Sequence, residues 1–449
     1  MRRQCSCGSF WWSWAVWRER PLGDLAAINS GGTPSTDRAE FWGGDIPWVT
    51  PTDITACKTN YLFDTASRIT KIGLHSCSAK LLPVGSILFT SRATVGVSRI
   101  AGVSVCTNQG FKSLSPAPDL DGKFLFYQVQ RLRGTFERYA AGSTFPEINK
   151  KDTARVLIPH PADVRVQQKI ATILSTIDTA IEQTEALIEK YQHIKAGLMH
   201  DLFTRGVLPS GQLRPPREQA PELYQETAIG WIPMEWRLQI ANAALESIAD
   251  GPFGSNLKTE HYVADAGAQV IRLQNISEYE YDGSDKAYIS KRHAEFLVRN
   301  KVVGGDVLIA GLGDERYSVG RACCYPAELP PAINKADCFR ARCDLSVMRN
   351  EFFMLFLNSE LARRQMRRFE QGVTRPRINT GNMKRVVACI PDLEEQSRMI
   401  VKFEAMQNAI QTQLKNSEAL RAQKLGLMQD LLTGKVPVTV DATTSEAVA

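Results

Sequence analysis

A segment of about forty residues occurs twice in this chain, and it constrains the fold more than any other feature. The first copy, residues 167–207, ends in Lys195–Val207, and Lys424–Val436 repeats that ending 229 positions later. Both endings contain the pattern Gly-Leu-Met-x-Asp-Leu. Because the repeating unit is about half of the protein, the duplication predicts two similar halves rather than a solenoid of short repeats.

Upstream of each ending, apolar residues recur at alternating steps of three and four. They are Ile170, Leu174, Ile177, Ile181, Ile188, Tyr191, Leu198 and Leu202 in the first copy, and Met399, Phe403, Met406, Ile410, Leu420, Leu427 and Leu431 in the second. This near-heptad spacing predicts a helix of roughly 60 Å in each copy. Neither helix can bury its stripe alone, so the two are expected to pack together, with the polar seam residues Thr184, Gln413 and Ser417 setting the register.

The composition is that of an ordinary globular protein, with 449 residues, 43% of them hydrophobic and 23% charged. That length allows two or three domains. The net charge of +6 permits an anionic partner without proving one. The ten cysteines include no Cys-x-x-Cys pair, so we expect free thiols in a reducing compartment and no metal site. No apolar run reaches the ~18 residues of a membrane span, and a cytoplasmic protein is expected.

Residues 1–20 are interpreted as an atypical N-terminal extension. Trp11, Trp12, Trp14 and Trp17 crowd this stretch, and no small-residue cleavage site follows them, so a signal peptide is not expected. The patterned protein is expected to begin near Pro21, and a non-native or mis-assigned start is expected before it.

The rest of the chain divides into two similar series of elements. Residues 21–160 form the first predicted domain, with strands at 46–50, 86–90, 96–100 and 155–158 and a helix at 124–139. The first long helix lies in 161–207, from about Val164 to Thr204. Proline and glycine mark 208–236 as a linker. The second domain, 237–391, has strands at 268–273 and 304–309 and a helix at 351–369. The second long helix lies in 392–436, and the polar tail 437–449 is expected to be disordered.

The junction before each long helix also repeats. Ala141–Asn149 and Gln371–Asn379 keep glycine, threonine, proline, isoleucine and asparagine at matching places 230 positions apart. Between these anchors the two domains diverge heavily. The scaffold is therefore shared while the heads differ.

Together these residues resemble the specificity (S) subunits of type I restriction–modification systems. The resemblance runs from Pro21 to Val436 and rests on short motifs in a fixed order. They are Ser30–Ser35, Gly43–Thr50, Leu82–Leu88, Thr107–Gly110, Ile229–Pro233, Asp250–Ser255 and both Gly-Leu-Met-x-Asp-Leu endings. One departure is Asn334-Lys-Ala336, which stands where the first half has Asn108-Gln-Gly110.

The resemblance implies an α+β fold with two target recognition domains, each followed by a long helix. The helices would pack as an antiparallel coiled coil within a pseudo-two-fold internal repeat. It also implies a non-catalytic reader of an asymmetric, bipartite target in double-stranded DNA, in which the helices set the spacing between half-sites. The expected partners are two methylation (M) subunits and the restriction (R) motor–nuclease subunits. This chain would need no cofactor, because S-adenosylmethionine, ATP and Mg²⁺ would belong to those partners.

The sequence carries no recognisable catalytic signature. The sequence has no Gly-x-x-x-x-Gly-Lys-Ser/Thr phosphate loop and no Asn-Pro-Pro-Tyr-type motif for base methylation. His193 and His200, seven residues apart on the first long helix, are interpreted as helix-surface residues rather than a metal pair. The turn Gly251–Ser255 fits either a phosphate cradle or a plain turn. A self-sufficient DNA methyltransferase is therefore disfavoured.

Basic residues carry the case for DNA binding. The candidates on the head helices are Arg131, Arg133 and Arg138 in the first domain and Arg363, Arg364, Arg367 and Arg368 in the second. Two of these positions recur at the 230-residue offset, which favours phosphate contact over an ordinary solvated face.

Further candidates for base contact lie near strand ends and at the second junction. They are Thr50, Asp53, Ser91, Arg92, Arg272, Gln274, Asn275, Arg375 and Arg377. Arginine commonly reads guanine, although an ordinary loop or strand role is the alternative for each residue. For the whole chain, the alternative function is a coiled-coil scaffold with two protein-binding heads.

Overall fold

The chain folds into two units, and each unit contains one head and part of both long helices. The computed structural model describes residues 16–142, 146–264, 267–372 and 374–440. Unit 1 comprises the chain up to Leu187 and again from Gln413 onward, and unit 2 comprises Ile188–Thr412. The predicted domains 21–160 and 237–391 fall within units 1 and 2 respectively. The division between the units crosses both long helices.

Unit 1 is built on a five-stranded sheet and a smaller three-stranded sheet. Its strands are β1 Trp17–Pro21, β2 Ala26–Ser30, β3 Trp42–Val49, β4 Tyr61–Leu62, β5 Ser67–Ile69, β6 Ile87–Phe89, β7 Ser98–Ala101, β8 Cys106–Thr107, β9 Lys112–Pro116 and β10 Leu157–Pro161. The larger sheet has the order β2-β9-β6-β7-β4. In the smaller sheet, β3 runs antiparallel to β5 and parallel to β8. Strands β1 and β10 form a separate antiparallel pair.

Unit 2 follows the same plan with different loops. Its strands are β11 Tyr224–Thr227, β12 Gly230–Pro233, β13 Arg237–Ile240, β14 Leu245–Ala249, β15 Tyr262–Val263, β16 Ala268–Ile271, β17 Tyr288–Ile289, β18 Lys301–Val302, β19 Val307–Ala310, β20 Ala322–Cys324, β21 Ala332–Asn334, β22 Cys338–Cys343 and β23 Val387–Ile390. The order β14-β22-β19-β20 matches β2-β9-β6-β7 of unit 1. Strand β16 runs antiparallel to β17 and parallel to β21, as β3 does to β5 and β8.

The two long helices lie where the periodic segments predicted them, and each of the two shorter predicted helices is divided into two. They are α1 Leu22–Leu25, α2 Pro51–Ala56, α3 Lys71–His75, α4 Gly122–Arg131, α5 Arg133–Tyr139, α6 Lys150–Arg155, α7 Val164–Thr204, α8 Ala241–Ala244, α9 Lys291–Phe296, α10 Asn350–Leu357, α11 Glu360–Arg367, α12 Thr380–Lys384 and α13 Leu393–Leu431. The helix predicted at 124–139 is α4 and α5. The one predicted at 351–369 is α10 and α11, because the Ser359 side chain accepts from Ala362 N and caps a new helix there.

Within unit 1, the segments of α7 and α13 run antiparallel. Lys424 Nζ lies 2.6 Å from an Asp178 carboxylate oxygen, and further along α7, Glu185 pairs with Arg421. Residue numbers therefore rise along one helix as they fall along the other. Asp178 also accepts from Tyr127 Oη at 2.6 Å and Asn60 Nδ2 at 2.7 Å, which ties the head to the helix pair.

Unit 2 contains its own antiparallel segments of the same helices. Lys195 Nζ donates to Gln407 Oε1 at 2.7 Å, and Val207 N donates to Glu395 Oε1 at 2.8 Å. Leu202 and Phe403, predicted from the seam, lie in the main hydrophobic core of this unit. The apolar stripe therefore packs against both the other helix and the head.

The first strand begins earlier than the sequence pattern indicated. Residues 17–20, assigned by prediction to the extension, form most of β1, and Trp17 packs 6.4 Å from the Phe124 ring. Pairing with β10 explains the difference, since strand partners distant in sequence leave no local signal. Residues 1–15 and 441–449, including most of the predicted disordered tail, lie outside the described residues.

Candidate nucleic-acid interface

Two predicted residues of unit 1 form a capping box at the end of β3. Thr50 Oγ1 accepts from Asp53 N, and Asp53 Oδ2 accepts from Thr50 N at 2.8 Å, which starts helix α2. Ala66 N donates to the other oxygen of Asp53. Both side chains therefore stabilise the conformation of this loop. These hydrogen bonds account for the two residues without a DNA contact.

The end of β16 in unit 2 has the same backbone arrangement with different side chains. Arg272 N donates to Asn275 Oδ1 at 2.8 Å, and the Arg272 guanidinium pairs with Asp285. Asn275 is fully buried and donates to two backbone carbonyls, so the predicted base contact by Asn275 is corrected to a structural role. Gln274, between them, is exposed. It is the residue of this turn that a ligand would meet.

A second loop and the junction hairpin meet in unit 1. Ile148 N donates to Ser91 O at 2.9 Å, and Arg92 lies 3.6 Å from Glu147. The Ser91 side chain is buried and accepts from Lys112 Nζ at 3.3 Å, so its predicted DNA contact is also corrected. Arg92 remains exposed at the surface.

The corresponding loop and hairpin meet in unit 2. Ile378 N donates to Gly311 O, and Gly313 N donates to Pro376 O, both at 2.9 Å. Arg377 pairs with Asp337 at 2.7 Å and lies over the Phe253 ring. Arg375 is exposed at the hairpin tip. In each unit, then, the loop after the central strand meets the junction hairpin. In unit 1 these reach the strand-end turn through residues 108–110, since Asn108 N donates to Val49 O at 3.0 Å and Ser91 N donates to Gly110 O at 2.8 Å.

The predicted arginines on α4 and α5 are only partly available for contact with a ligand. Arg131 is half-buried and donates to Gln128 Oε1 at 2.9 Å, and burial lowers its pKa. Arg133 pairs with Glu137 at 2.9 Å on the same helix. Arg138 is exposed and donates to Thr135 Oγ1 at 3.2 Å. Arg133 and Arg138 thus keep exposed charge in unit 1.

Of the four predicted arginines on α11 and at its end, one is buried and three are exposed. Arg363 donates to Val319 O, Asn358 Oδ1 and a Glu278 carboxylate oxygen at 2.7–3.0 Å. Its guanidinium is engaged inside the unit, so its predicted phosphate contact is corrected. Arg364, Arg367 and Arg368 are exposed. Of these, Arg367 pairs with Glu360 at 2.5 Å.

The turn at Gly251 is filled by its own chain. Gly251 N and Asp337 N both donate to Asp250 Oδ1, at 2.7 and 2.9 Å. A Cβ on Gly251 would lie 1.9 Å from the carbonyl carbon of Lys335. The plain-turn interpretation therefore accounts for this segment, since that N–H already has an acceptor.

Replacing Asp250 with asparagine is expected to change how stability depends on pH. Burial raises the pKa of Asp250 from 3.8 to about 6, so the native state loses stability as pH rises from about 4 to 6, by at most about 3 kcal/mol. The Asp250→Asn variant keeps an acceptor oxygen but does not titrate. Its stability relative to the parent should therefore increase over this interval, as measured by urea denaturation at a series of pH values.

Asp344 provides a control of opposite sign. Contacts from Ser346 lower the pKa of this exposed carboxyl. The Asp344→Asn variant should lose, not gain, relative stability as pH rises from below the Asp344 pKa. If the stability of Asp250→Asn and of its parent changed equally with pH, the ionised Asp250 carboxylate would not destabilise the native state.

Three residues near Gln274 and Arg375 were missed by the sequence interpretation. Arg316 and Tyr317 are exposed on the loop after β19, and Arg321 is buried beneath them. Arg321 donates to four backbone carbonyl oxygens. Such acceptors have no sequence signature, although the Gly-x-Gly turn at 311–313 marks the loop.

The described ranges contain no group of three or more histidine, cysteine or acidic residues suited to hold a metal ion. The eight cysteines within them are free thiols. Among the helices of the described segments, none is both long and apolar enough to cross a bilayer.

Comparison with known proteins agrees with the predicted resemblance. Residues 16–191 match the family model described as the type I restriction modification DNA specificity domain. The MjaIX specificity subunit of Methanocaldococcus jannaschii is 35% identical over 189 residues, which are 42% of this chain and 44% of that relative. The match therefore spans less than half of that relative's length. The MjaVIII specificity subunit of the same organism is 23% identical over 325 residues, 71% of each chain.

A solved structure extends the comparison to the fold. The type I restriction–modification S subunit of M. genitalium matches with a TM-score of 0.55 and 16% identity, covering 95% of this chain and 97% of that one. At this identity the likeness concerns the fold alone. The predicted resemblance to type I specificity subunits is confirmed by the family match and the named relatives. Residues 16–191 therefore carry the type I restriction modification DNA specificity domain.

Proposed function

We propose that this chain reads an asymmetric, two-part target in double-stranded DNA, with one head on each half. The observation that carries the proposal is the loop cluster that recurs in both units. Each cluster joins a strand-end turn, the loop after the central strand and the junction hairpin, and each presents exposed polar or cationic side chains. Because the two sets of side chains differ, the two half-targets would differ in sequence.

The long helices support the two-part arrangement. Helices α7 and α13 each contribute to both units and run antiparallel within each one. A coiled coil along their length, with pseudo-two-fold symmetry between the halves, would set the spacing between half-sites. The same helices would dock two M subunits, with R subunits completing the restriction complex.

In this proposal the chain performs no methylation or cleavage in the cytoplasm. S-adenosylmethionine, ATP and Mg²⁺ would be bound by the partner subunits.

The direct test is to map methylated adenines in a host genome after co-expression of this chain with a cognate M subunit. A single split motif with two unlike halves is the expected result. A folded complex that methylates nothing and does not bind DNA would instead favour a scaffold with two protein-binding heads. Methylation by the purified chain alone would contradict a non-catalytic role.

The exposed arginines at the C-terminal end of α11 and just after it are expected to supply salt-sensitive affinity. Replacing Arg364, Arg367 and Arg368 together with alanine should weaken DNA binding and flatten the plot of log K against log[salt] by up to about 2.7, since each phosphate contact contributes about 0.9. The complex with the M subunit would be titrated with target DNA at several salt concentrations. Lys291→Ala/Arg292→Ala, on helix α9, removes two exposed positive charges elsewhere in unit 2 and serves as the comparison. An unchanged slope in the triple variant would remove α11 from the DNA surface.

A further inference from the structure

A cavity lies where the three loops of the unit 2 cluster converge. It has a volume of about 350 Å³, and its lining includes Gln274, Asp282, Asp314, Tyr317, Arg321 and Arg375. The strand-end turn, the loop after β19 and the junction hairpin all contribute to this lining. The two exposed predicted residues of this region, Gln274 and Arg375, are thereby brought to one site.

Arg321 holds two of these loops together from below. This side chain is 5% exposed. Its Nε donates to Ile276 O at 2.7 Å and its Nη2 to Leu273 O at 3.0 Å, both on the strand-end turn. Its Nη1 donates to Leu312 O and Ser318 O, each at 3.2 Å, on the loop after β19. The lining is therefore built on a buried, hydrogen-bonded support.

The third segment is fixed by backbone contacts. Gly313 N donates to Pro376 O at 2.9 Å, and Leu312 and Arg377 form an isolated β-bridge. Arg375 consequently extends from a hairpin whose second strand is anchored to the loop after β19. Tyr317 is 48% exposed beside the cavity, with the Arg321 guanidinium 5.1 Å from its ring centre.

The charges and hydrogen-bonding groups of the lining favour a base edge over a phosphate as the bound group. Two carboxylates, Asp282 and Asp314, border the cavity, and hydrogen bonds lower the pKa of each. Ionised carboxylates would repel a phosphate. A base edge presents donors and acceptors together, and a lining with arginine, glutamine and carboxylates offers matching groups of both kinds.

We propose that the rim of this cavity reads base edges of the half-target assigned to unit 2, with Gln274 and Arg375 as specificity-determining residues. This inference rests on the proposed DNA-reading function and adds the place and the residues. An arginine donates two hydrogen bonds to guanine, and a glutamine exchanges two with adenine. Neither side chain is buried, so neither needs to leave an internal partner before it contacts DNA.

The test is to compare genome-wide methylation motifs made by the complete chain and its variants in complex with the M subunit. Arg375→Ala and Gln274→Ala should each relax one position of one half-motif by roughly 5- to 150-fold and leave the other half-motif unchanged. Arg375→Lys should relax the same position as Arg375→Ala, because lysine keeps the charge but not the planar fork. Arg292→Ala, exposed on α9 of the same unit, should leave the motif intact.

The outcomes separate this inference from the function on which it rests. A split motif from the parent chain that Arg375→Ala and Gln274→Ala both leave unchanged overturns the inference alone. Uniformly weaker methylation without a relaxed position also overturns it, since that pattern belongs to phosphate contact. A parent complex that folds but reads no split motif overturns both proposals.

Discussion

Replacing Glu395 with alanine is expected to destabilise unit 2 by about 3–5 kcal/mol, because it leaves a buried guanidinium without its main partner. The Glu395 side chain is 3% exposed and the Arg214 side chain 5%. The Glu395 carboxylate accepts hydrogen bonds from both Arg214 Nη atoms, from Trp236 Nε1 at 3.1 Å and from Val207 N at 2.8 Å. After the substitution, Arg214 would keep only the exposed Glu235 as an acidic partner.

The adjacent residue makes a matched control. The Glu394 side chain is 90% exposed and lies 3.8 Å from Arg398, so Glu394→Ala should change stability by no more than about 0.5 kcal/mol. Thermal unfolding would show the contrast as a fall in Tm of roughly 6–20 °C for Glu395→Ala alone. Equal Tm values for the two variants would mean that the network around Arg214 contributes nothing to stability.

Replacing Arg363 with alanine is expected to cost about 3 kcal/mol in unit 2 without changing the salt dependence of DNA binding. Arg363 is 9% exposed, and its three acceptors lie on the loop before β20, at the end of α10 and at Glu278. Its removal would loosen the attachment of α11 to the head. DNA affinity should then fall only in proportion to the folded fraction.

Replacing Arg364, the next residue in the chain, is expected to have the opposite effects on stability and on DNA binding. Arg364 is exposed and lies 3.9 Å from Glu360, so Arg364→Ala should leave the Tm within a degree or two and reduce the salt slope by about 0.9. Both variants would be compared by thermal unfolding and by DNA titration at several salt concentrations. A reduced salt slope for Arg363→Ala, measured where the variant is folded, would contradict its internal role.

The long helices were the most predictable part of the molecule. Helix α7 occupies Val164–Thr204, the range expected from the apolar seam. Periodicity reports which face of a helix is buried, and over forty residues that signal accumulates. The helix breaks at Leu132 and Ser359 were missed because apolar residues continue across them. Ser359 carried a usable capping signal, since serine favours that position.

Of the predicted site residues, some are exposed and others are buried. Gln274, Arg92 and Arg375, chosen for their places near strand ends and at a junction, are exposed. The sequence pattern did not separate these from Asn275, Ser91 and Arg363, which are buried. The acceptors of Arg363 and Asn275 are mostly backbone or amide groups on other segments, and composition does not reveal them. Whether a polar side chain points outward depends on such tertiary contacts.

The discontinuous chain path of unit 1 has a consequence for the order of folding. Unit 2 is one continuous stretch, whereas unit 1 needs residues from Gln413 onward. Met428, Leu431 and Leu432 belong to the core of unit 1, and Gln128 Nε2 donates to Leu432 O at 2.7 Å across 304 residues. During synthesis, unit 2 can therefore close while the core of unit 1 still lacks one wall, so the head made first is completed last.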